Sequence, residues 1–337
     1  MQRNASGKEY RLSRPQRIDF HGAIHLVHVR GCEDFNIFFD ASVLEHAQVA
    51  KWGGVPHLRR FFALLDECCS ECGAQLFGYC VQPNDASLLI RTLGAPLDAF
   101  MQRLSGRYSR YLHVAQVLPK HVAAFASRYK SKVVAPEFLP HAVRRVHAQP
   151  LGGGLARRAI DYPFSSAPVY LGERAPVRLE THAVWRSLEH KGLFGLRGYR
   201  DFMARPESPY VTALFEHGFP LDARVVGGSV FVAQARDAAR HPPAPATREQ
   251  LLAGVAQLLA AKSPVIAVGH RAVLARALVA WYALRSGSAS LHEVATWFDV
   301  SAATLGKAIR RYRRVAPELF EKKTLPGMES ADEELDD

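Results

Sequence analysis

Between residues 17 and 147 the spacing of apolar side chains switches between the two-residue repeat of a strand and the 3.6-residue repeat of a helix, and that order narrows the fold more than any other feature. RIDFHGAIHLVHVR (17–30) is β-branched, alternates, and stops at Gly31. Leu58, Phe61, Phe62, Leu65 and Cys69 then recur at helical spacing over 56–72, between Pro56 and Gly73. QLFGYCV (75–81) and SLLIRT (87–92) read as a hairpin turning through Pro83, Asn84 and Asp85. Helical spacing returns over 96–113, through Leu97, Phe100, Met101, Leu104, Tyr108 and Tyr111; a strand follows at 129–134 and a helix at 136–147. Strand, helix, strand, strand, helix, strand, helix predicts an α+β unit of ferredoxin-like form, one antiparallel sheet with helices on one face.

A chain of 337 residues exceeds what one core usually organises. Short helical pieces at 182–188, 199–203 and 210–217 form a connector over 173–235, and the prolines of 236–247 read as an extended linker. Helices follow at 247–261 and 271–285. LHEVATWFDVSAATLGKAIRRYRR (291–314) then has helix-turn-helix spacing within an all-α unit over 248–320. Ser290 and Ser301 are its caps, Ala295 the small inner residue, and Asp299 the turn residue that tolerates left-handed backbone. The outward residues of the second helix include Ala302, Ala303, Thr304, Lys307 and Arg310, followed by Arg311, Arg313 and Arg314, which makes DNA contact the expectation; an ordinary hairpin with a solvated basic face is the alternative.

The formal charge is +11 although the stretch from Glu329 to Asp337 carries six acidic side chains, so the body ahead of that tail (321–337, read as disordered) is more basic still. An excess of this size attracts polyanions, nucleic acid above all. No apolar run is long enough to cross a bilayer and the polar start lacks a signal-peptide core, which makes the cytoplasm, near the nucleoid, the expected compartment. Five cysteines, Cys32, Cys68, Cys69, Cys72 and Cys80, do not form a secreted disulfide framework. Cys69-Ser-Glu-Cys72 has zinc-knuckle spacing but lacks a second pair, and reads as a core-packed helix end. His25 and His28 differ by three, so they take opposite faces of their strand and form no chelating pair there.

Four ordered motifs carry a family resemblance. VRG (29–31), YCVQPNDASLL (79–89), MQRLSGRYSRYLH (101–113) and DYPFSSAPVYLG (161–172) resemble the corresponding segments of single-tyrosine HUH transposases of the REP-associated type, with a weaker echo in VVGGSVFV (225–232). The resemblance covers a domain over 15–172. It implies two strand histidines that chelate magnesium or manganese, and a helix tyrosine that attacks phosphorus and forms a covalent DNA intermediate. It also implies DNA partners, hairpin or single-stranded, and pairing as a homodimer.

The chain departs from the family at those positions. Aligned on Pro83 and Asn84, the histidines become Asp85 and Ser87, the tyrosine becomes Arg145 in RRVHAQP (144–150), and Gln149 replaces an asparagine. Serine is a poor metal ligand and arginine cannot be a nucleophile, so no metal and no catalytic residue are expected. The reading is a domesticated, catalytically inactive DNA-binding protein, a regulator that grips a hairpin through Arg103, Arg107, Tyr108, Arg110 and Arg145, and duplex through Thr304, Lys307, Arg310, Arg311, Arg313 and Arg314. Two alternatives stay open: an active transposase or nickase using Asp85 and a relocated tyrosine, Tyr108 or Tyr111, and a protein-binding role for the old DNA surface.

Overall fold

The computed structural model describes residues 17–46, 54–240, 246–262, 268–286, 288–320 and 325. The start of the chain, the prolines at 242–245 and the acidic tail lie outside the described residues.

The first body is α+β. Its strands are β1 (Ile24–Arg30), β2 (Ala74–Val81), β3 (Asp85–Thr92), β4 (Lys130–Val134) and β5 (Val225–Val226), ordered β2-β3-β1-β4-β5 in one sheet. The first four pair antiparallel, as the sequence predicts. β5 is a correction: it pairs parallel with β4, so the sheet is mixed, and two residues are too few to show any alternation.

Helix α1 (Pro56–Cys72) is opened by Pro56 and stopped by Gly73, whose left-handed backbone (φ 61°) returns its N–H to the Cys69 carbonyl. Its Phe62 ring lies 4.8 Å from that of Tyr79, which shares a sheet face with Leu88 and Val27. Helix α2 (Leu97–Val114) packs along α1, and the Tyr108 ring stacks on Phe38 at 5.4 Å and meets Phe61 edge-on at 5.2 Å. Helices cover the opposite face as well, which corrects the one-faced expectation. Helix α3 (Leu139–His147) packs on β2 and β3, and glycine at position 78 lets His147 and Ser166 approach the strand closely. Burial on both faces explains why β2 and β3 are nearly continuous apolar runs.

Helices α4 (His182–Glu189), α5 (Gly195–Ala204) and α6 (Pro209–His217) finish that layer. His147 is its polar pivot: fully buried, it bonds the Tyr199 hydroxyl at 2.7 Å and Ser166 Oγ at 2.6 Å. Helix α7 (Ser229–Arg240) occupies 236–240, so the extended linker does not start at Arg236. Cys68, Cys69, Cys72 and Cys80 are buried, and burial pushes the Cys68 thiol up to about 12 and that of Cys72 up to about 11, which makes them inert packing groups.

The second body is helical: α8 (Arg248–Lys262), α9 (Val268–Arg285), α10 (Leu291–Trp297) and α11 (Ala302–Val315). Its core joins Leu251, Leu258, Leu274, Leu278, Leu305 and Ile309. The two bodies touch, because α9 packs on α1 and a methyl group at Gly94 would meet the Leu284 carbonyl oxygen at 2.3 Å.

Candidate nucleic-acid interface

Sheet register decides what surrounds the two aligned positions. His28 stands opposite Ser87 on one side and Lys130 on the other, and Arg30 stands opposite Asp85. With period-two alternation, Arg30, His28, Asp85, Ser87, Lys130 and Lys132 all belong to the face that α3 covers farther along. Ser87 Oγ is 3.1 Å from His28 Nδ1, and His28 Nε2 is 3.3 Å from Asp85 Oδ1. Sequence reasoning set His28 aside because it compared the histidine only with its own strand; the partners come from the neighbouring one.

Burial holds the His28 imidazole below its ordinary value, Asp85 opposes that shift, and Lys130 and Arg30 add to it. The site fits a divalent cation poorly. One imidazole and one carboxylate face each other, the Ser87 hydroxyl is engaged by the imidazole, and two cations stand alongside. Among the described residues no group of three or more His, Cys, Asp or Glu side chains is arranged to hold a metal ion.

Arg145 pairs with neither Asp85 nor Ser87. Its guanidinium lies 3.3 Å from Glu216 of α6, beside Lys132, whose amine donates to the carbonyls of Phe215 and Glu216 at 2.9 and 2.8 Å. Gln149 stands half-buried in the single helical turn Gln149–Gly152.

Arg103, Arg107 and Tyr108 do not join that face. Tyr108 is fully buried and its hydroxyl donates to the Ile37 carbonyl at 2.6 Å, so it offers no stacking surface. Tyr111 is half-buried with its hydroxyl 3.0 Å from His57 Nδ1, and both tyrosines lie in the α1–α2 layer, across the sheet from Asp85. A relocated tyrosine at either position therefore cannot reach a phosphate held there. Arg107 bonds Glu71 at 2.8 Å and Arg103 reaches it at 3.3 Å, while Arg110 is exposed.

The turn between α10 and α11 follows the sequence closely. Ser290 and Glu293 form a reciprocal capping box, Ser301 accepts from the Thr304 N–H, and Asp299 has φ 51°. Val294, Ala295, Leu305, Ala308 and Ile309 face inward, and Thr304, Lys307, Arg310, Arg311 and Arg314 are exposed. Arg313 is the exception: it lies 4.4 Å over the Trp281 ring and donates to Ser70 of α1, so it joins the two bodies and does not face solvent as expected. Arg310 also leans toward α1, 3.6 Å from Glu71.

No protein-family model matches the chain, and no curated protein matches it. A solved structure of a REP-associated tyrosine transposase bound to a REP hairpin is similar at 12% sequence identity with a TM-score of 0.36, over 50% of this chain and 92% of that one.

Proposed function

We propose that this chain binds DNA through a transposase-like scaffold whose strand-cleaving chemistry is retired. The observation that carries the reading is the cationic setting of the two aligned metal positions: Arg30, Lys130 and Lys132 share one sheet face with Asp85 and Ser87, and Arg145, at the aligned nucleophile position, stands beside Lys132. Such a face attracts phosphate and supplies donors to it.

Three of the four sequence motifs, 29–31, 79–89 and 161–172, support the scaffold because they pack on one another. Gly31 abuts Asn84, whose amide donates to the Cys32 carbonyl; Tyr162 donates to Val81; and Ser166 Oγ accepts from the Tyr79 N–H. The β2-β3-β1-β4 order supports the ferredoxin-like reading of the first body. In the second body, the capped α10–α11 pair supports a helix-turn-helix that presents Thr304 and Lys307 to a duplex.

Arg145 completes the hairpin-binding face. Its partner Glu216 is 45% exposed, and an ion pair so open to water contributes at most about 1 kcal/mol, which a phosphate can outcompete. The same reading places the protein in the cytoplasm, with pairing as a dimer.

The test is affinity for a single-stranded DNA hairpin measured across a salt series. The parent is expected to bind with a negative log–log slope, and Arg30→Ala with Lys130→Ala to flatten it by about 0.7 for each phosphate interaction removed. Binding that ignores salt, or a double variant that binds like the parent, would overturn the role of this face.

A further inference from the structure

Glu71 lies at the C-terminal end of α1, and arginines from two separate parts of the chain converge on it. Arg107 and Arg103 of α2 lie 2.8 and 3.3 Å from Oε2, and Arg310 of α11 lies 3.6 Å from Oε1. Glu67, one turn earlier, adds a second carboxylate 3.6 Å from Arg107. Of these distances to Glu71 only the shortest has the 2.7–2.9 Å length of a strong charge-assisted bond. Glu71 thus gathers three planar five-donor cations, of which, among the described residues, only Arg107 has a second carboxylate, Glu67, so most of their donors are left over.

Their surroundings are also positive. Lys307, Arg311 and Arg314 on α11 and Arg110 on α2 are exposed, and the side chains of Arg103, Arg107 and Arg310 keep 31%, 35% and 49% of their surface in solvent. Arg313 and Ser70 pin α11 to α1 one helical turn from Arg310, which fixes the spacing of the two arginine groups.

We infer that α2 and α11 form one continuous surface for the backbone of duplex DNA, in which Glu71 occupies the place of a phosphate until DNA arrives. The inference rests on the duplex-binding reading of α11 and extends it to the first body. A helix-turn-helix reads base edges with the N-terminal residues of its second helix, here Ala303, Thr304 and Lys307, while the flanking parts meet the sugar-phosphate backbone. Arg310 begins that flank, and Arg107 and Arg103 continue it onto α2 by way of Glu71. These two arginines therefore serve the duplex rather than the hairpin face across the sheet. Guanidinium forks match phosphate geometry, and an anion already holding them keeps them oriented for the exchange.

The experiment compares full-length variants binding one labelled duplex across a salt series. Arg103→Ala with Arg107→Ala is expected to lower affinity roughly tenfold or more and to flatten the log–log salt slope by about 0.9 per phosphate released. Glu71→Gln is expected to bind roughly tenfold tighter with a steeper slope, as from one added charged interaction. This second variant separates the proposal from a purely structural cluster, whose loss would lower the melting temperature and leave DNA affinity equal or weaker. If Lys307→Ala weakens binding while the α2 pair binds like the parent, the shared surface is wrong and the helix-turn-helix reading stands. If the parent shows no duplex binding at low salt, that reading fails and the inference falls with it.

Discussion

Reversing the charge of Lys307 and Arg311 together, as Lys307→Glu with Arg311→Glu, should lower duplex affinity by roughly a hundredfold or more at physiological salt. Both side chains are exposed on α11, so the substitution leaves the Leu305, Ala308 and Ile309 packing face intact. Every phosphate that is no longer neutralised flattens the log–log salt slope by about 0.9, and a glutamate facing the duplex adds repulsion to that effect. The melting temperature should stay near that of the parent, because surface substitutions change stability by about 0.5 kcal/mol or less. A double variant that keeps the parent's affinity and slope would remove α11 from the interface.

The largest effect on stability is expected at His147. Its imidazole is fully buried, bonded on both ring nitrogens, and packed 5.4 Å from the Tyr170 ring. His147→Ala leaves a cavity, strands the Tyr199 hydroxyl and leaves Ser166 Oγ only its Tyr79 backbone partners, at a cost of about 3–5 kcal/mol. Burial pulls the group down to about 3, whereas in the unfolded chain it titrates near its ordinary 6.5. The unfolded state therefore binds the extra proton below pH 6.5. The neutral ring's contribution is fully present above that pH and is lost at about 1.4 kcal/mol per pH unit as pH falls toward about 3. Denaturant unfolding at pH 7 and pH 5 checks both parts. The alanine variant should be much less stable at pH 7, and the gap from the parent should narrow at pH 5. A loss below about 1 kcal/mol, or a gap that widens in acid, would contradict the neutral buried role.

Elements with a strong local signal were legible in the sequence. Pro56 and Gly73 bracket α1 at both ends, and Asp299 takes the left-handed backbone expected of the turn before α11. The misread stretch is 17–23, where RIDF alternates as a strand would. There Asp19 instead accepts from the Leu97 N–H at 2.6 Å and pairs with His25, and Gly22 turns at φ 80° before β1 begins. A long-range partner overrides the local pattern at such a place.

The site divides in the same way. Asp85, Ser87 and Arg145 were found by alignment of motifs, and the turn residues of α10–α11 by capping chemistry. His28, Arg30, Lys130 and Lys132 were missed because only strand register brings them to Asp85 and Ser87. Glu71 carried no signal, since an acidic residue near a helix end reads as solvated until two other helices are seen to converge on it. Tyr108 lies on the same helical stripe as Leu104 and Phe100, and that stripe is the core of the first body.

We propose that the chain holds DNA without cutting it, and denaturing electrophoresis after incubation with a labelled single-stranded hairpin in magnesium or manganese tests this most directly. Full-length DNA and no protein-linked species are expected, both for the parent and for Arg145→Tyr, because restoring the hydroxyl does not restore a metal site at Asp85 and Ser87. A tyrosine-linked DNA adduct from the parent, or cleavage restored by Arg145→Tyr alone, would contradict it.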